Sequence, residues 1–247
     1  MGHGMSEALA HCEKFLREED KDRYLASLFA PADARPALFS LYAFDLETAR
    51  VALRVREPLA GEIRLQWWHD ALTGQIPDQT AGNPVAAAFL ETMQQRSLPL
   101  DQVLAVIEAR RARLYEEPLA GLDVLGDFSR KTAGAIFSLA ARILKGGADP
   151  QADRLGEAAA LAMVVDAEAG AHSYADNVLS AARSSLAQAH DLIGSVSDRV
   201  LPAFLPLALV NARLALMERK ASPDIPQWRR QWILWRASKN LARYLSS

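Results

Sequence analysis

The chain has 247 residues, half of them hydrophobic, which is enough to bury a large core. Its 28 basic and 30 acidic side chains nearly cancel, which argues against a general nucleic-acid binder and against an acidic disordered chain. The single cysteine, Cys12, excludes a disulfide framework and a cysteine-based zinc site.

Helical periodicity dominates from end to end, and no segment alternates as a strand would. The spacing of apolar residues predicts helices over 6–19, 22–29 and 35–55, with a break at Pro31. Pro58 separates these from a helix over 61–74, and the stretch Pro77 to Pro84 separates that one from helices over 84–96 and 101–115. After a break at Pro118 come helices over 122–145 and 151–169, divided by Gly146–Gly147. Gly170 then precedes helices over 173–197, 200–219 and 226–245, the last set off by Pro223 and Pro226. Asp101, Asp123 and Asp149 sit where helix caps are expected. The breaks are too short for a domain linker, so one all-α domain over 1–247 is the simplest expectation. The longest apolar run, Val200 to Val210, carries Pro202 and Pro206, so no spanning helix is expected. Residues 1–22 mix acids with bases and lack the order of a signal peptide.

The sequence has no P-loop, no dinucleotide-binding glycine fingerprint, no nucleophile elbow and no His-Glu-x-x-His. Its five histidines are scattered, so a histidine metal site is not expected, and His69 reads as a half-exposed polar residue. Arg110, Arg111 and Arg113 read as a solvated face.

The most distinctive residues run from Arg35 through Leu-Tyr42-Ala-Phe44-Asp45-Leu-Glu47 to Arg50, and then Ile63-Arg64-Leu-Gln-Trp67-Trp68. With Asn83-Pro84-Val85, Leu114-Tyr115, Thr132-Ala-Gly134 and Leu155-Gly156-x-Ala158 behind them, the order resembles the squalene/phytoene synthase family over about residues 10–218. That resemblance implies an all-α, isoprenoid-synthase-like bundle around an apolar central cavity. It also implies two carboxylate clusters that hold Mg²⁺ against a prenyl diphosphate, a task that needs hard oxygen ligands around the ion.

The chain departs from the pattern at those clusters. Ala49, Arg50 and Leu53 stand where the first acids are due, and Gly170 stands one turn after Asp166. Asp45 and Glu47 remain, but they lie about 200° apart on a helical wheel and cannot pair. Asp166, Glu168 and Asp176 are the acids the fold could still regroup; if it does, the enzyme reading gains. The degeneracy resembles one branch of the family, whose members act in biogenesis of the membrane arm of respiratory complex I. The expected function is therefore a squalene/phytoene synthase-like protein without Mg-diphosphate chemistry that assists assembly of such a membrane complex. The alternatives are an active head-to-head prenyltransferase with atypical metal ligands, and a prenyl-lipid binder. No cofactor is expected, with Mg²⁺ entering only on the enzyme alternative. Tyr42, Phe44, Asp45, Arg64, Trp67 and Asp166 are the pocket candidates, the aromatics reading as core packing or as cavity lining. Arg64 reads as the partner of an acid on the Asp45 helix or as a ligand for an anionic head group.

From Arg199 onward the chain carries nine bases and two acids. Within that tail Trp228, Trp232 and Trp235 share one stripe, flanked by Arg229, Arg236, Lys239 and Arg243. On a continuous helix the aliphatic residues Ile233, Leu234, Leu241 and Leu245 would face the other way. These indoles and cations are the membrane-contact candidates, suited to an anionic surface. The expected partners are a membrane protein or complex under assembly, an anionic membrane surface and an apolar or prenyl ligand, with no nucleic acid. A cytoplasmic site peripheral to the inner membrane fits, and a processed mitochondrial protein of the matrix fits as well.

Overall fold

The computed structural model describes residues 3–54, 57–115, 121–169 and 175–245. The expected breaks at Pro118 and Gly170 lie outside these residues, and so does the side chain of Leu53. The described residues are helices joined by turns, and none forms a strand. They divide into two compact units, Met1–Ala120 and Gly121–Ser247.

The first unit runs α1 (His3–Glu19), α2 (Lys21–Ser27), α3 (Arg35–Arg54), α4 (Pro58–Leu72), α5 (Pro77–Thr80), α6 (Pro84–Gln95) and α7 (Leu100–Arg113). Proline starts α4, α5 and α6 at a position where a missing N–H costs nothing. The carboxylate of Asp20 accepts from the Arg23 N–H at 3.0 Å and caps α2. Asn83 caps α6, accepting from the N–H groups of Val85 and Ala86 at 2.9 and 3.0 Å. Helix α3 lies against α1, α4, α6 and α7. Its Leu38, Leu41 and Phe44 are fully buried. Phe44 stacks on Phe89 at 4.3 Å between centroids and meets the edge of Trp68 at 5.1 Å.

The second unit runs α8 (Leu122–Ser129), a π-helical turn (Arg130–Gly134), α9 (Ala135–Lys145), α10 (Pro150–Glu168) and α11 (Asp176–Ile193). It continues with α12 (Leu201–Phe204), α13 (Leu207–Glu218), α14 (Gln227–Ala237) and α15 (Ala242–Leu245). The predicted helix 122–145 is thus one rod interrupted by a π turn, which periodicity alone does not reveal. Gly146 closes α9 in the left-handed region at φ 83°. Helix α10 is the centre of this unit, packed on α9, α11 and α13. Gly156 on α10 makes the close approach possible: a methyl group there would sit 2.8 Å from Phe137 Cβ and 3.2 Å from the Gly134 carbonyl oxygen.

Several expectations need correction. Asp149 caps α10, but Asp101 and Asp123 lie inside the first turns of α7 and α8, whose N-caps are Pro99 and Gly121. The predicted helix 200–219 breaks at Leu205–Pro206, and the predicted 226–245 breaks after Ala237. Leu201–Glu218 has a mean hydropathy of 1.3 and, by length and composition, could cross a membrane, but 56% of it is buried inside the fold. That burial is what a core element requires.

Candidate functional site

In the first unit an open groove of about 320 Å³ is walled by Phe15 of α1, Glu47, Arg50 and Val51 of α3, and Arg64 and Trp67 of α4. Trp68 and Asn83 complete it. The helical period explains the set, since 47, 50 and 51 share one face of α3, and 64, 67 and 68 share one face of α4. Arg50 is tied to Glu19 at 2.6 Å and lies over the Phe15 ring at 5.8 Å. Arg64 is exposed and makes no ion pair with a described residue. The Trp67 indole N–H donates to Gln79 Oε1 at 3.2 Å. The groove therefore presents two cations, two indoles and a single carboxylate, Glu47.

Of the residues singled out in the sequence, Arg64 and Trp67 line this groove, whereas Tyr42, Phe44 and Asp45 lie in the core. Asp45 is the centre of a buried charge cluster. One carboxylate oxygen accepts from Arg23 of α2, the other from Arg110 of α7, and Arg110 also donates to the Thr48 hydroxyl. Arg23 reaches Asp20 as well, at 2.5 Å, and lies over the Tyr42 ring at 5.0 Å. Asp45, Arg23 and Arg110 are each less than a tenth exposed. Burial alone would raise the Asp45 carboxyl; the charges and hydrogen bonds of Arg110 and Arg23 override it and hold the group below the usual carboxylate range. Burial also pushes the Tyr42 hydroxyl up. Burial first, and then the charge of Glu47, pushes the Cys12 thiol up to about 12, which makes it a poor nucleophile.

Two sequence readings are thereby corrected. Arg110 is a core residue rather than part of a solvated face, because α7 turns it toward α3, where Asp45 needs a cation. Arg64 is not the partner of an acid on the Asp45 helix: it makes no ion pair with a described residue, and Asp45 is held by Arg23 and Arg110. Sequence reasoning missed Arg23 altogether, and the Asp20 cap one turn before it was the available signal.

In the second unit Asp166 receives two hydrogen bonds from Arg213 of α13, both 2.5 Å, and its side chain is 5% exposed. Bidentate pairing of this kind is strong and directional. Asp166, Glu168 and Asp176 do not gather into a ligand set: among the described residues no group of three or more His, Cys, Asp or Glu is placed to hold a metal ion. The Mg²⁺ that the family resemblance implies therefore does not fit the described residues. Magnesium asks for several free oxygens in octahedral array. Here Asp45 and Asp166 are committed to arginines, and Arg50 stands beside Glu47.

In the same unit Trp228, Trp232 and Trp235 of α14 are exposed, as are Arg229, Arg236, Lys239 and Arg243. Because α14 ends at Ala237, Lys239 and Arg243 lie beyond it, and Leu241 and Leu245 reach the core from the following turn and α15 rather than from a continuous helix face.

An all-α fold with these motif positions defines the class. The squalene/phytoene synthase family profile matches residues 16–165, and the chain belongs to that family. Its architecture is the all-α isoprenoid-synthase fold: it matches a dehydrosqualene synthase with a TM-score of 0.70 at 14% identity, covering 97% of this chain and 98% of the other. Squalene synthase HpnC from Alicyclobacillus acidocaldarius matches with a TM-score of 0.69 at 20% identity, covering 89% and 96%. In sequence the chain is similar to NADH dehydrogenase (ubiquinone) complex I, assembly factor 6, of Bos taurus, at 27% identity over 58% of this chain and 43% of the relative. The Homo sapiens protein of that name is 27% identical over 54% of this chain and 40% of its own, and the Drosophila melanogaster homolog 27% over 63% and 49%. The chain thus spans less than half the length of the curated relatives it matches.

Proposed function

We propose that this chain acts in assembly of a membrane complex of the respiratory complex I type, as a family member that does not carry out Mg-diphosphate chemistry. The observation that carries the reading is the fate of two acids, one from each motif region. Asp45 and Asp166 are each neutralised by arginines, so neither is free to ligate a metal. The relatives named as complex I assembly factors supply the role. Such a protein works where the complex is built, at the bacterial inner membrane or in the mitochondrial matrix.

A second reading is favoured by the groove. Arg64 and Arg50 beside two indoles suit an anionic head followed by an apolar tail, so a prenyl diphosphate can be held there without being turned over.

The test has two arms. Deleting the gene in its own cell is expected to lower assembled NADH:quinone oxidoreductase on native gels, and normal assembly would overturn the role. Purified protein with farnesyl or geranylgeranyl diphosphate, Mg²⁺ and NADPH is expected to yield no coupled product. A C30 or C40 hydrocarbon among the extracted lipids would restore the prenyltransferase alternative.

A further inference from the structure

The outer face of α14 leaves three indoles in water. Trp228, Trp232 and Trp235 are 70%, 49% and 56% exposed. They stand four and three residues apart, so they form one stripe about 10 Å long. The aliphatic residues of the same helix point the other way: Ile233, Leu234 and Ala237 are buried. Arg229, Arg236 and Lys239 are exposed around the stripe and make no ion pair with a described residue. Arg236 lies over the Trp232 ring at 5.0 Å. From Ile225 to Ser247 the sequence holds no acid at all.

We propose that α14 seats this chain on an anionic bilayer surface, with the three indoles at head-group depth and Arg229, Arg236 and Lys239 on lipid phosphates. The indole is the side chain suited to that depth, because its ring is apolar while its N–H still needs a partner. No exposed aliphatic residue of α14 would draw the helix deeper, so it lies in the interface plane rather than crossing it. A protein partner could also use Trp and Arg, but unpaired cations along an acid-free segment match a continuous sheet of negative charge better than a compact contact. The inference stands on α14 and the turn that follows it and does not depend on the assembly role.

The experiment is flotation of the full chain with phosphatidylcholine vesicles, with and without phosphatidylglycerol, read together with tryptophan emission. Co-flotation is expected only with the anionic vesicles. It should weaken as salt is added and be accompanied by a blue shift of the emission. The variant Arg229→Glu/Arg236→Glu/Lys239→Glu should bind at least a hundredfold more weakly, from about a factor of five to ten per cation lost at the surface. Trp228→Ser/Trp232→Ser/Trp235→Ser should abolish both the binding and the shift while leaving the melting temperature near that of the parent, since these side chains contribute little to the core. Failure to float with phosphatidylglycerol at low salt, or undiminished binding by the serine variant, overturns the proposal. Self-association of the parent that the serine variant abolishes, without lipid binding, would overturn it in favour of a second copy.

Discussion

Asp45 keeps its charge inside the core. It is locked between Arg23 and Arg110 in a site closed to water. Removing the negative charge strands the buried Arg110 and leaves Arg23 with Asp20 alone, so Asp45→Asn is expected to destabilise the protein by about 3–5 kcal/mol in denaturant unfolding. Because the folded carboxyl titrates below its unfolded value, the cluster's contribution is fully present above about pH 4 and is lost as the pH falls from there through the folded pKa. The parent should therefore lose stability below about pH 4 more steeply than Asp45→Asn does, which paired unfolding curves across that range would show. The sequence made part of this legible. The wheel placed Asp45 and Glu47 on opposite faces, and the structure puts one in the core and the other in the groove. What it could not reveal was the pairing: Arg23 and Arg110 are 22 and 65 residues from Asp45, and their proximity is made by the packing of α2 and α7 on α3.

At the level of elements, proline and glycine wrote most of the boundaries into the sequence. Pro58, Pro84, Gly146 and Pro226 each mark a start or stop that the structure shows. The misses differ in cause. At Leu205–Pro206 the proline lacks the N–H that a continuous helix needs, whereas at the π turn Arg130–Gly134 and at the end of α14 at Ala237 tertiary packing overrides the helical period. Gly156 is the sharpest instance. The sequence offered it only as part of a family motif, whereas the structure makes it the contact point of α10 with α9 and the π turn. Gly156→Ala would push Phe137 Cβ from 2.8 Å, and backbone on the far side yields little. An overpacking cost of about 1–3 kcal/mol is expected, which in a chain of this size lowers the melting temperature by roughly 2–12 °C. An unchanged melting temperature would show that α10 can slide away freely.

For the molecule as a whole, the all-α class and the family were legible because they depend on period and motif order, which the chain preserves from α1 through α10. For its chemistry the sequence offers an argument by subtraction, from the missing acids at 49, 50 and 53. The structure adds that Asp45 and Asp166 are held by arginines. Mg²⁺ together with inorganic diphosphate is accordingly expected to leave the thermal unfolding midpoint where EDTA leaves it, because a ligand stabilises only the state that binds it. A rise that EDTA reverses would reveal a metal site assembled from ligands other than those described. Farnesyl diphosphate without metal is the contrasting probe, expected to raise the midpoint through the Arg64 groove and to lose that effect in Arg64→Ala.

The arginine clamp on Asp45 also bears on which sequences are reachable from this one. A family-type acid cluster cannot be built here by a single substitution. An acid placed at position 50 would face Glu19 across the gap that Arg50 bridges at 2.6 Å. One placed at 49 would stand a turn from a carboxylate whose lone pairs already belong to Arg23 and Arg110. Releasing Asp45 means removing both arginines, and removing either one first leaves a buried charge unbalanced. Each such step passes through a less stable protein. The clamp therefore acts as a ratchet in sequence space: building an acid cluster around Asp45 would require both arginines to go, and each single step toward it is disfavoured.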